Sequence, residues 1–350
     1  LPLSKFAGKI PLKNHSPCGI VRISRAPIPA QWKGGGWCLR ATDSTMKNAV
    51  ISWQEKLEAV AYVPTREICT VLRLAEALKK PVLVEGPPGA GKTSLARAAA
   101  DVLGARLIRL QCYEGIDVAR AIYEYNYGKQ LLYLSALRDR VSQMLDGTKS
   151  MAESVRILDR EVPFWGDEFL VRRPILEALA SAGARVLLID EVDRSDREFE
   201  ALLLEVLSEW SISVPEYGTV RAGDDPPLVV LTSNRTRDLS DALRRRCLYI
   251  WLDLPDRERE ARIIQAQVPG AGAAFAAKVA EFIAEYRQLS PRHVPSVAET
   301  VELACALLAT SGRQITSEDI ESAIPVFAKN REDAGLCVSA AERVSRNAAS

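Results

Sequence analysis

Histidine is almost absent from this sequence, occurring only as His15 and His293 in 350 residues. The seven cysteines, at positions 18, 38, 69, 112, 247, 305 and 337, form no C-x-x-C pair and are odd in number. A Cys/His zinc site therefore has little to draw on, and the usage fits reduced thiols in a cytosolic protein, several of them buried. No apolar run approaches the length that spans a bilayer, so no transmembrane segment is expected. Neither sign of charge is in excess: 46 Lys plus Arg stand against 45 Asp plus Glu. A sequence-independent nucleic-acid binder carries a basic surplus, so no nucleic-acid partner is expected. What remains is ordinary for a globular protein, 47% hydrophobic and 26% charged, and long enough for one large domain or two of common size.

Methionine is missing from the first 45 residues; the first is Met46. That stretch holds seven cations (Lys5, Lys9, Lys13, Arg22, Arg25, Lys33, Arg40) and one anion, Asp43, a net charge of +6 that leaves −5 on the rest. It has no sustained helical or strand period, lacks the apolar core of a signal peptide, and contains the loop-like "PIPAQWKGGGW". Residues 1–45 are expected to be a disordered extension, lying upstream of a start at Met46.

The strongest pattern is "PVLVEGPPGAGKTSLARAAADVLG", residues 81–104. A short apolar run meets Gly86-Pro87-Pro88-Gly89-Ala90-Gly91-Lys92-Thr93-Ser94, which fits the phosphate-binding loop G-x-x-x-x-G-K-[ST]. Glycines let the backbone curl so that successive N–H groups face phosphate oxygens, and the following helix adds its N-terminal dipole. A nucleotide is the expected ligand. Lys92 would reach its β- and γ-phosphates, and the Thr93 hydroxyl would ligate Mg²⁺. Leu95, Ala98, Ala99, Val102 and Leu103 mark the packed face of that helix, with Gly104 placed to end it.

In "ARVLLIDEVDR" (184–194), a continuous apolar run reads as a parallel strand covered on both faces. It ends in Asp190 and Glu191, where such sheets collect ligands. Asp190 would hold Mg²⁺ through water, and Glu191 would polarise the attacking water. Ser195 and Glu198 read as a capping box for the next helix, which buries Phe199, Leu202, Leu203, Val206 and Leu207. A further buried strand in "PPLVVLTSNRTRDL" (226–239) ends at Thr232, Ser233 and Asn234. The Asn234 amide offers both a donor and an acceptor, suited to hold a γ-phosphate and the lytic water together.

Strands at 82–85, 106–112, 185–190, 228–234 and 248–253, separated by helical segments, predict a parallel sheet in a three-layer α/β domain. This succession of P-loop, Asp-Glu pair, Asn, arginines and helical tail resembles an AAA+ ATPase over roughly residues 52–345. The resemblance implies the sheet order 5-1-4-3-2 and a C-terminal α-helical lid. Its finer features resemble the MoxR branch. One is the 71 residues from Tyr113 to Gly183, long enough for an insert in the second helix. Another is a hairpin within 208–227, just before the Asn234 strand, with arms read at 211–214 and 219–221. The blocks "FLVRRPILEAL" and "ALRRRCLYIWLDLPD" are similar to the CoxD group, which serves maturation of a molybdenum–copper carbon monoxide dehydrogenase. The expected division is 1–45 extension, 46–254 ATPase core and 255–350 lid.

In this family the lid presents a sensor arginine to the γ-phosphate. Arg292 of "LSPRH" is one candidate; aligning "VPSVAE" instead leaves a serine there. The family also sends an arginine from one subunit to the nucleotide of the next, at the end of the helix before the last strand. Within "DALRRRC" (241–247), Arg246 matches that position and Arg245 is the runner-up, while Arg244 reads as a solvated or interface cation. The resemblance thus implies a homo-oligomeric ring, expected to be a hexamer. Its partner would be a von Willebrand A-domain protein, and its client a metalloenzyme opened for metal or sulfur insertion. Such a protein is cytoplasmic, either free or peripheral at the inner face of the membrane. The tyrosines of "YEGIDVARAIYEYNY" either line a substrate-facing insert or simply pack together. The competing function is a motor or loader acting on nucleic acid, against which the balanced charge weighs. A nucleotide-gated module that hydrolyses poorly fits less well with Glu191 and Arg246 both present.

Overall fold

The computed structural model describes residues 52–145, 150, 152, 156, 165–311 and 316–349, all within the compact unit Ser44–Ser350. The reading of residues 1–45 lies outside them. The described strands are β1 (Val82–Glu85), β2 (Arg106–Gln111), β3 (Tyr123–Tyr125), β4 (Leu170–Arg172), β5 (Arg185–Asp190), β6 (Ser211–Val214), β7 (Gly218–Arg221), β8 (Leu228–Ser233) and β9 (Leu248–Trp251). Five of them make one sheet in the order β2-β5-β8-β1-β9, every neighbouring pair parallel. That is the order the family resemblance implies.

Alternation along the central strands sorts side chains into two layers. Leu83, Leu187, Ile189, Val229 and Leu231 enter one buried cluster with Ile175, Leu176, Phe199 and Leu203. Val82, Val84, Val186, Leu188 and Val230 enter another with Ile68, Leu72, Leu95 and Ala99. The second layer comes from α1 (Arg66–Leu78) and α2 (Lys92–Leu103); the first comes from α5 (Pro174–Ala180) and α6 (Arg197–Glu209). Both faces being covered, β1 and β5 are buried at every position, which explains their unbroken apolar runs. Gly104 closes α2 in the left-handed conformation, its N–H on the carbonyls of Ala100 and Asp101.

Between β2 and β5 the described residues include the antiparallel pair β3–β4, a single helical turn at Val118–Ala121, and the helices α3 (Tyr127–Ala136) and α4 (Arg138–Leu145). The tyrosines there divide: Tyr125 is buried edge-on against Tyr123 and Trp165, whereas Tyr127 is 61% exposed. The hairpin β6–β7 precedes β8 and begins its second strand at Gly218, one residue earlier than read. The α6 cap is also one residue off. Asp196, not Ser195, accepts from the Phe199 N–H (2.8 Å), because the Ser195 hydroxyl donates instead to the Val192 carbonyl of a preceding 3₁₀ turn.

After the short α7 (Asp241–Arg246) and β9, the chain is helical: α8 (Arg257–Gln267), α9 (Ala273–Gln288), α10 (Val297–Ser311), α11 (Ser317–Ser322), α12 (Ile324–Phe327) and α13 (Arg331–Ala349). Their own core joins Phe275, Val279, Phe282, Ile283 and Tyr286 to Leu303, Leu307, Cys337 and Val344. Glu260 is fully buried there and is held by Arg287 (2.7 and 2.9 Å) and the Thr300 hydroxyl (2.9 Å). No described helix is long and apolar enough to cross a membrane.

Candidate nucleotide site

The carboxyl ends of β1, β5 and β8 open onto a pocket of about 370 Å³ that the helical region closes from above. Pro88, Gly89, Ala90, Gly91, Lys92, Thr93 and Ser94 line it. Gly86 and Pro87 do not; they act from behind, their carbonyls each taking a 2.8 Å hydrogen bond from the Lys92 amine. Gly86 is required because an added Cβ would meet the Leu252 carbonyl oxygen at 2.1 Å. The first turn of α2 has Gly91 as its N-cap and no side-chain cap, so its N–H groups are left to a ligand. Burial lowers the Lys92 pKa, an effect opposed by the nearby Asp193, Asp190 and Glu191 carboxylates.

Asp190, buried at the end of β5, is crowded with donors. Thr93 Oγ1 lies 3.1 and 3.3 Å from its two oxygens, Thr232 donates to Oδ1, and Arg109 donates to Oδ2 through Nη2 (2.6 Å) and Nε (3.1 Å). Glu191 follows with φ +55°, a conformation that costs a residue bearing a side chain about 1–2 kcal/mol. Thr232 holds it there by accepting the Glu191 N–H at 2.9 Å. The Glu191 carboxylate faces the pocket, hydrogen-bonded by Gln111 Nε2 (3.0 Å) and ion-paired with Arg194 (3.0 Å). Asn234 lines the pocket beside it. The loop carrying Asn234 is fixed by buried Asp193, which accepts from the Asn234 N–H (3.2 Å), the Thr236 N–H (2.9 Å) and the Thr236 hydroxyl (2.7 Å).

Tyr62, Val63, Pro255, Ile263 and Gln267 form the opposite, more apolar end. Arg259 ties it together by donating to the Val63 carbonyl at 3.1 and 3.3 Å. Burial pushes the Tyr62 hydroxyl up to about 12, with Arg259 acting the other way. Above the phosphate loop sit Ser296, Val297 and Ala298. The Val297 N–H donates to the Gly89 carbonyl (3.0 Å), and Gly89, at φ +80°, leaves only 2.4 Å between an added Cβ and that of Ser296.

The structure corrects the reading of two arginines. Arg292 does not line the pocket; its side chain is 73% exposed and pairs with Glu332 at 2.8 Å. Buried Asp333 decides this by accepting both the Arg292 and His293 N–H groups (2.9 and 3.0 Å), so the loop turns and delivers Ser296 instead. Arg244 is not a solvated or interface cation, for it grips the fully buried Glu85 at 2.8 and 3.3 Å. Arg245 is exposed. Arg246 is also exposed, at the C-terminal end of α7, and its guanidinium donates to the Leu204 carbonyl at 3.0 Å; neither lines the pocket.

Thr93 and Asp190 suit a hydrated divalent cation. Among the described residues there is no group of three His, Cys, Asp or Glu side chains able to hold a metal. A cation here would therefore be held largely by phosphate oxygens and water, which is how Mg²⁺ commonly binds.

Residues 81–247 match the family of the AAA domain, dynein-related subfamily. Residues 81–247 therefore carry an AAA domain. The five-stranded sheet has the AAA+ P-loop NTPase fold, and the domain class implies nucleotide binding. The ATP-dependent zinc metalloprotease FtsH 3 of Sphaerobacter thermophilus is 23% identical over 314 residues, covering 86% of this chain and 53% of that protein. The chain thus spans about half the length of the curated relative it matches. Among solved structures, the Thermotoga maritima RuvB Holliday junction branch migration motor gives a TM-score of 0.41 at 16% identity, covering 84% of this chain and 72% of that one. A single-residue variant of the same RuvB gives 0.42 at 17%, covering 77% and 70%.

Several residues of the AAA+ site escaped the sequence reading: Arg109, Gln111, Asp193, Thr232 and Arg259. A signal existed for the first two. On β2 the buried Ile108 and Leu110 alternate with Arg109 and Gln111, which share the open face of an edge strand paired with β5.

Proposed function

We propose that this chain is a MoxR-type AAA+ ATPase that hydrolyses ATP with Mg²⁺ and uses the resulting motion to remodel a metalloenzyme. The observation that carries the reading is the meeting of Lys92, Thr93, Asp190, Glu191 and Asn234, drawn from three strand ends, around one pocket. In this reading the P-loop N–H groups and Lys92 hold the β- and γ-phosphates, and the base occupies the apolar end between Tyr62–Val63 and Ile263. Thr93 and Asp190 hold the magnesium ion, which supplies neutralisation of charge on the phosphates. Glu191 takes a proton from the attacking water while Asn234 orients it. Arg246, with Arg245 as the alternative, stabilises the transition state from a neighbouring copy in a ring, expected to be hexameric. Residues 46–254 are then the ATPase core and 255–350 its lid, whose contact with the phosphate loop is made by Ser296 in place of an arginine.

The similarity to the CoxD group supports a molybdenum–copper carbon monoxide dehydrogenase as the type of client, with a von Willebrand A-domain protein as intermediary. In this reading the chain contributes force to its client. Glu191→Gln tests both levels. It is expected to bind ATP as the unaltered protein does while turnover falls at least about a hundredfold; unchanged turnover removes Glu191 from its role. Trapped with ATP, the same variant should retain a metalloenzyme or a von Willebrand A protein. Retention of neither contradicts the maturation reading.

A further inference from the structure

The donors around Asp190 fill all of its places for them. A carboxylate offers about four lone-pair directions. Here Thr93 addresses both oxygens, Thr232 addresses Oδ1, and Arg109 delivers Nε and Nη2 to Oδ2. A hydrated cation needs some of those positions, so a donor must leave. Thr93 cannot be the one, since in the nucleotide reading its hydroxyl would ligate the same cation. Thr232 is 1% exposed and also carries the Glu191 N–H, so moving it would disturb Glu191. Arg109 differs from both. Its side chain is 52% exposed, it lines the pocket, and its long stem can swing without unpacking the core.

We propose that Arg109 is a resident counter-cation for Asp190, neutralising it until a divalent cation arrives with nucleotide and then releasing Oδ2. The idea rests on the nucleotide reading above. It follows that Arg109 opposes cation binding and, by screening Asp190 from the phosphates, favours nucleotide binding without a cation. Both effects reduce the gain in nucleotide affinity that Mg²⁺ confers, and linkage makes that gain the quantity to measure.

The test titrates the full chain with a fluorescent, non-hydrolysable ATP analogue, in MgCl₂ and in EDTA, and takes the ratio of the two affinities. Losing a charge-assisted contact of this kind should raise the ratio about tenfold in Arg109→Ala. Arg109→Lys, which keeps the charge but loses the two-nitrogen contact, should raise it less. It also serves if the alanine variant fails to fold. In an Asp190→Asn background, replacing Arg109 should leave the ratio unmoved. A ratio that stays constant or falls in both single variants overturns the proposal, because a purely structural Arg109 would weaken binding equally in the two buffers. Should the unaltered protein bind no analogue in either buffer, the nucleotide reading itself fails, before any Arg109 variant is measured.

Discussion

The two walls of the pocket are built by different means. On the sheet side, Lys92, Asp190, Glu191 and Asn234 come from neighbouring strand ends and the loops that leave them, each held by hydrogen bonds to residues outside its own strand. On the helical side, contact includes the Val297 N–H reaching the Gly89 carbonyl, Ser296 against Gly89, Arg259 reaching Val63 and Gln267 reaching the Ala61 carbonyl. Charges that must be placed for chemistry thus sit on the rigid wall. The helical wall has fewer polar ties to the pocket and a buried core of its own; in the proposed function it is the lid.

Gly89→Ala attacks the seam between the walls. Its Cβ would clash with Ser296, and alanine resists φ +80°, so the closed arrangement loses about 1–3 kcal/mol from overpacking alone. Nucleotide affinity is expected to fall about tenfold or more while the melting temperature of the core stays close to that of the unaltered protein. An affinity unchanged by this substitution would mean that the helical wall does not bear on the phosphate loop.

Asp333→Asn probes the same wall more gently. Burial pushes the Asp333 carboxyl up, but the Arg292 and His293 N–H groups and the Asn330 amide outweigh it and hold the carboxyl below its usual range. A depressed carboxylate contributes stability above its unfolded value, near pH 4, and loses it as pH falls through the lower folded value. The variant should therefore melt below the unaltered protein at pH 7, with the gap closing toward pH 3, and should lose only a few-fold in nucleotide affinity. A gap that is constant across that range, followed by calorimetry, would remove Asp333 as the pin of the Arg292–Ser296 loop.

The same contrast explains what could be read from the chain. The P-loop, the Asp190–Glu191 pair and the Asn234 strand are local patterns, each announced by a few consecutive residues, and the sheet order followed from the family their succession resembles. Contacts settled by distant residues were not legible. Arg292 and Ser296 stand four positions apart and read equally well; Asp333, some forty residues later, chooses between them. Arg244 is claimed by Glu85 from 159 positions away, which no charge-run argument could reveal. Even the α6 cap slipped by one residue because Ser195 was already committed to the turn before it. Arg109 required the β2–β5 register, which sets it beside Asp190.

Central to the proposed function is a site completed across a subunit boundary, because Arg246 lies on the surface, away from its own pocket. Arg246→Ala should lower ATP hydrolysis about a thousandfold with nucleotide binding intact. Lys92→Ala should be inactive because it cannot hold the phosphates. The direct measurement mixes these two inactive variants and follows phosphate release. Activity is expected to return, since a subunit with Lys92 can then meet a neighbour with Arg246. Mixtures that stay inactive at every ratio, with subunit exchange demonstrated, would contradict completion of the site in trans.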